Sequence, residues 1–158
     1  MTNTPATLPT KALSVRQPWA WAICYAGKNF ENRIWGRNNA DRKFRGAFCI
    51  HASSGMGQRE YYEAREFMAG HGITCPEPFQ LARGSIIGTA RAVNWTADEA
   101  SFWFVGPGAL EMKDMAVLPQ DIPCVGALGF FEWRRRVTID HLPIAKPWML
   151  RNTLKGRL

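Results

Sequence analysis

Between Pro18 and Gly27 the chain reads Trp-Ala-Trp-Ala-Ile-Cys-Tyr-Ala, apolar at nearly every position. Proline is favoured in the first turn of a helix and glycine just past its end, so the stretch predicts a short helix bounded on both sides. A helix apolar on nearly every face is a buried one. Around it lie runs with strand character: residues 13–16, 29–35, 46–52 (GAFCIHA), 84–95 and 125–133, the last able to continue through its basic residues to 139. Residues 102–105 and 109–112 flank a Gly106-Pro107-Gly108 turn, and Gly88 marks a bulge or a close approach within its strand. A second helix is predicted over residues 58–68, where Tyr61, Ala64, Phe67 and Met68 recur at helical spacing and Gly70 and Gly72 end the pattern. Five or six strands and two main helices in mixed order predict an α+β fold, a mixed β-barrel or curled sheet flanked by helices.

A chain of 158 residues is long enough for one domain that buries roughly 70% of its unfolded surface. Its 46% hydrophobic and 21% charged residues exclude disorder throughout. No apolar run approaches the roughly 18 residues of a membrane helix, and the N-terminus MTNTPATLPTK lacks the apolar stretch of a secretory signal. The expectation is a monomeric, cytoplasmic protein without a membrane partner. Residues 1–12 read as a flexible leader, and residues 138–158 as a basic C-terminal extension that packs across the barrel or orders on a larger assembly.

The net charge of +7 is unevenly placed. Residues 11–45 carry eight basic and two acidic side chains, residues 46–133 five and ten, and residues 134–158 seven and one. An anion-binding face would therefore draw on the two ends, and 14 of the 20 basic residues are Arg, whose planar fork suits phosphates and base edges. Solubility alone is the competing reading of the same charge. The four cysteines, at 24, 49, 75 and 124, form no CxxC motif and read as buried thiols. Cys49, His51, His71 and Cys75 have conceivable zinc-ligand spacing, but His71-Gly72 reads as a helix end with Pro76 close behind, so neither a metal nor another cofactor is expected.

Three segments concentrate polar and aromatic groups: Ser14-Val15-Arg16-Gln17-Pro18-Trp19 where strand turns to helix, Gly27-Lys28-Asn29-Phe30-Glu31-Asn32-Arg33 after that helix, and Ile50-His51-Ala52-Ser53-Ser54 at a strand end. With the R-G at Arg45, GSIIGTA at residues 84–90, WFVGP at 103–107 and PCVGALGFFEW at 123–133, these segments in this order resemble the ASCH domain of the PUA-like superfamily, over residues 13–137. The resemblance implies a β-barrel flanked by helices, with a cleft beside the first helix, in a superfamily dominated by binding of RNA and modified nucleic acids. It also implies an alternative, since some members are linked to ribonuclease activity and one group resembles an amidohydrolase acting on acetylated cytidine. That group uses a Lys, a Thr three residues later and a distant Glu. Lys28 falls on the Lys position, whereas Glu31 stands where the Thr would be, which argues against deacetylation by that route.

Two readings of the cleft follow. As a binding module for single-stranded or modified RNA or DNA, Arg16, Lys28, Arg33 and Arg45 contact phosphates or base edges, Gln17, Asn32 and Ser53 supply donors and acceptors, and Trp19 or Trp35 stacks on an unpaired base. As a small hydrolase, Lys28 and Glu31 activate water or stabilise developing charge, with His51 carrying the proton. Each residue also has a plainer structural reading: Trp19 or Trp21 as core, Glu31 and Arg33 as an ion pair on one strand face, His51 as a hydrogen-bonded core residue, Trp103-Phe104 as barrel core, and Arg134 to Arg136 as a solvated strand end.

Overall fold

The computed structural model describes residues 7–155. Six strands and three helices alternate along it: β1 (Lys11–Val15), α1 (Trp19–Tyr25), β2 (Phe30–Asn32), β3 (Gly46–Ala52), α2 (Gln58–Ala69), β4 (Ser85–Thr96), β5 (Ala109–Pro123), β6 (Phe130–Glu132) and α3 (Pro147–Lys155). One mixed sheet runs in the order β2-β5-β4-β3-β1-β6. Only β1 and β3 are parallel; every other neighbouring pair is antiparallel. The sheet curls into a half-barrel with the helices beside it, the α+β class that the mixed element order predicts.

The concave side holds Leu13, Val15, Phe48, Ile50, Leu110 and Met112 against Ala20 and Ile23 of α1. A second cluster joins the other side of α1, through Ala22, to Tyr61, Ala64 and Met68 of α2 and to Trp103, Trp148 and Met149. With core on both sides, α1 buries Ala20, Ala22 and Ile23 and keeps only its end at Tyr25 exposed, which fits a sequence apolar nearly throughout. A third cluster, Leu8, Ala12, Cys49, Ile86, Cys124, Phe131 and Trp133, covers the outer face of β1 and β3.

Several boundaries differ from the sequence expectation for identifiable reasons. Strand β1 begins at Lys11, because Leu8 is buried and Trp133 Nε1 donates to the Pro9 carbonyl at 2.8 Å. The flexible-leader expectation for residues 1–6 lies outside the described residues. Strand β2 has three residues instead of seven, and residues 102–105 are irregular. Strand β5 runs 15 residues, bending at Asp114 (φ 54°). Strand β6 is short: Gly129 takes φ 63°, and Arg134–Arg136 wind into a 3-10 turn where continuation of the strand was expected.

Part of the C-terminal segment packs on the domain. Trp148 of α3 lies 5.8 Å, ring to ring, from Tyr61, and Arg83 Nη2 donates to the Ile144 carbonyl at 2.9 Å. Among the described residues no helix is long and apolar enough to cross a membrane.

Candidate functional site

Helices α1 and α2, strand β2 and the irregular segment after Ser101 enclose a cleft of about 570 Å³. Trp19 comes from α1, Lys28, Glu31 and Asn32 from the stretch after it, Glu60, Glu63, Ala64 and Phe67 from α2, and Trp103 and Val105 from the loop. Its volume falls within the range of small-molecule sites. Three aromatic side chains wall it, with Trp19 meeting Phe67 edge-on at 5.8 Å.

Lys28 and Glu31 are the buried charged residues of the lining, 3% and 8% exposed. The Lys28 ammonium donates to the Phe30 carbonyl and stands 3.5 Å from Glu31 Oε2 and 5.8 Å from the centre of the Trp19 ring. At 3.5 Å the pair is ionic contact and not a good hydrogen bond, so Oε2 is buried with no hydrogen-bond partner. Burial pulls the Lys28 pKa below the ordinary lysine value, against the opposing pull of the Glu31 charge. Glu31 Oε1 faces Arg33 Nε at 3.6 Å, and Arg33 Nη2 donates to the Ser14 carbonyl at 2.7 Å.

The cleft is not the basic one that the charge distribution led us to expect. Lys28 is the single cation on its lining, against the carboxylates of Glu31, Glu60 and Glu63. Arg16 stands at the edge with its guanidinium committed to both Glu60 oxygens, at 2.6 and 2.8 Å. Burial alone would push the Glu60 carboxyl up, but the hydrogen bonds from Arg16 and from the Gly57 N–H hold it below the usual range. Glu63 pairs with Arg59 at 2.8 Å.

The other sequence-selected residues scatter. Gln17 is buried outside the cleft, Nε2 donating to the Ala82 carbonyl at 2.7 Å and Oε1 accepting from the Trp21 N–H at 2.9 Å. Asn32 lines the cleft, but its amide holds the neighbouring loop: Nδ2 donates to the Trp103 carbonyl, and Oδ1 accepts from the N–H groups of Val105 and Gly106. Both amides are thus occupied with backbone, not presented as open base-reading groups. Trp35 stacks on Trp95 at 5.7 Å in a separate groove. Arg45 is exposed and donates to the Arg42 and Phe44 carbonyls of its own loop.

His51 and Ser53 are also elsewhere, on the covered face of the sheet. Ser14 Oγ lies 2.9 Å from His51 Nδ1 and 2.8 Å from Ser53 Oγ, while His51 Nε2 is 2.7 Å from the Cys124 carbonyl. A carbonyl only accepts, so Nε2 carries the proton and the neutral ring accepts from Ser14 at Nδ1. His51 is 1% exposed and does not line the cleft, so the expected grouping with Lys28 and Glu31 is not formed. The four conceivable zinc ligands do not converge either: Cys49 and His51 lie on β3, whereas His71 stacks on Phe102 at 4.0 Å. Among the described residues no group of three or more His, Cys, Asp or Glu is placed to hold a metal ion.

The His51 arrangement predicts an acid-sensitive fold. Burial lowers the His51 pKa below the unfolded value of ~6.5, so below that pH the unfolded chain binds a proton more readily than the folded one. Stability from His51 is complete above ~6.5 and is lost as pH falls from there through the folded pKa. Urea midpoints of wild type should decline over that window, and those of His51→Gln should be lower at pH 7 with a flatter decline. Parallel pH profiles would show that His51 does not carry the effect.

Phe67, Trp103, Glu60, Glu63 and Val105 were not singled out for the cleft. Helical spacing reads Phe67 as helix core and Trp103 reads as barrel core, and no periodicity brings those two segments together. No protein-family model matches the chain, and no curated protein matches it.

Proposed function

We propose that this protein binds single-stranded or modified RNA or DNA by taking one unpaired base into the aromatic cleft. The observation that carries the reading is the Glu31 carboxylate on the lining of an aromatic-walled pocket: its Oε2, closed to solvent and in ionic contact with Lys28, makes no good hydrogen bond, so a ligand that shifts its cover and donates to it satisfies a buried acceptor. A nucleobase offers a π face for Trp19, Phe67 or Trp103 and an amino or imino N–H for the carboxylate. The ordered motifs that resemble the ASCH domain support the same class of ligand.

The test is titration with short single-stranded RNA and DNA and with free nucleosides, followed by tryptophan fluorescence. A stacked base contributes about 1–3 kcal/mol, so Trp19→Ala should weaken binding by about five- to 150-fold while the melting temperature shows the variant folded. Absence of binding at low salt, or affinity indifferent to Trp19→Ala, would reject the reading.

One observation favours hydrolysis as a second reading. Burial pulls the Lys28 pKa down beside the Glu31 carboxylate, a pair suited to activating water against RNA or an acylated nucleoside. Incubation with RNA and with acetylcytidine, comparing wild type with Lys28→Met, tests it; no turnover by wild type rejects it.

A further inference from the structure

Beyond the wall of the cleft lies a second concavity of about 260 Å³, lined by Arg33, Trp35, Arg42, Trp95 and Pro107 among others, with no acidic residue on its lining. The Trp35 and Trp95 rings stack at 5.7 Å with 23° between their planes. Each carries a guanidinium: Arg33 Cζ is 5.5 Å from the centre of the Trp35 ring, and Arg42 Cζ is 5.2 Å from that of Trp95. The groove is closely built, for a Cβ at Gly108 would stand 2.3 Å from Trp95 Cζ2.

The loop that brings Arg42 is held while its basic side chains stay outside. Its 3-10 turn, Ala40–Lys43, is capped by Asn39, whose side chain accepts from the Asp41 N–H. The single acidic residue of the loop is turned toward β6, Asp41 Oδ1 accepting from the Phe130 N–H at 3.3 Å. Arg37, Lys43 and Arg45 are exposed, and among the described residues no carboxylate forms an ion pair with Arg42. Of the two guanidiniums on the groove, that of Arg33 faces Glu31 and that of Arg42 has no carboxylate partner, so the groove carries a positive charge left unpaired where the cation of the cleft, Lys28, is paired.

The two concavities share a wall. Val105 lines the cleft and Pro107 the groove, in a segment held by Asn32, and Arg33 reaches from the groove toward Glu31 in the cleft. We propose that the groove is the seat of the phosphodiester backbone flanking the bound base, with Arg42 as its phosphate contact. This assignment rests on the cleft being a base site. The Arg33 guanidinium is committed to the Ser14 carbonyl and to Glu31, whereas that of Arg42, over the Trp95 ring and without a carboxylate partner, has N–H groups to offer phosphate oxygens.

The test uses the full chain, a short mixed-sequence single-stranded RNA and the component nucleosides. Arg42→Gln should weaken RNA binding about tenfold and reduce the slope of log K against log salt by about 0.7, the loss of one phosphate contact to a single strand. Nucleoside affinity should be unchanged, and Arg42→Lys should retain most of the slope. Unchanged RNA affinity and slope in Arg42→Gln, or an equal loss for nucleosides and RNA, would overturn the assignment. So would equal competition by inorganic polyphosphate, which lacks the nucleoside. RNA binding that depends on Arg42 without any nucleoside binding would reject the cleft reading and leave the groove as a phosphate site. If neither RNA nor nucleosides bind, both proposals fall.

Discussion

Glu31→Leu is expected to destabilise the fold by about 3–5 kcal/mol at pH 7, because it leaves the ammonium of Lys28 buried without its carboxylate. The loss should shrink as pH rises. In wild type the folded Lys28 pKa is already below the unfolded ~10.4, so stability increases with pH between those two values. Removing Glu31 removes an influence that raises the Lys28 pKa, so in the variant the rise in stability should begin at lower pH. Lys28→Met combined with Glu31→Leu should recover most of the stability, since apolar groups of similar size often replace a buried ion pair without net cost. Urea denaturation at pH 7 and near pH 9.5, over the four members of this cycle, measures the coupling directly. A loss below about 1 kcal/mol in Glu31→Leu, the same at both pH values, would contradict a buried charged Lys28. The double variant separates stability from function: it should fold and yet bind nucleosides poorly, because the acceptor in the cleft is gone.

Gly88→Ala should be the most damaging single methyl addition in the sheet, costing about 3 kcal/mol, the upper end of ordinary overpacking. The added Cβ would lie 2.5 Å from both the Ala116 carbonyl oxygen and Cys24 Sγ. A cysteine side chain can turn about its one torsion; the carbonyl belongs to the backbone of β5, which pairs with β4. Relief therefore requires the two strands to separate. Gly88 also sits where the β4 register shifts against β5, so the surrounding ladder has already adjusted to the approach. Thermal or urea melts of Gly88→Ala alone and with Cys24→Ala apportion the clash. Full rescue by Cys24→Ala would show that the thiol, and not the strand pairing, sets the limit.

Gly88 is one of the positions where sequence reasoning reached the structure, because a lone glycine in a strand pattern has few other uses. The run at residues 46–52 is another: GAFCIHA is β3 with the same boundaries, and its inward residues are those of the core. The all-apolar helix α1 was legible for the same reason, since hydrophobic patterning records burial directly. Residues 125–133 show the opposite case. Their apolar pattern predicts one long strand, whereas only residues 130–132 are strand, with Phe131 and Trp133 packed on Cys49 and Cys124.

The candidate site divides in a similar way. Lys28 and Glu31 were nominated from local sequence, and their proximity follows from three residues of separation across a turn and a short strand. Phe67 and Trp103, which complete the cleft with Trp19, come from segments far apart in the chain. The segment Ile50 to Ser54 offers His51 as a proton carrier beside Lys28, yet β3 carries it to the covered face, where the Ser14 hydroxyl and the Cys124 carbonyl occupy both ring nitrogens.

The sequence by itself determined that this chain builds an α+β domain around one buried helix, and that its positive charge gathers toward the two ends. Hydrophobic period and charge count are local properties, readable without a partner. Which charges from distant segments meet, as Arg16 meets Glu60, was decided by the tertiary structure. Folding set Glu31, Glu60 and Glu63 around Lys28 in the cleft and left Arg33 and Arg42 on paired tryptophans next door, because side chains from distant segments compensate one another only after the sheet curls and α2 docks on α1.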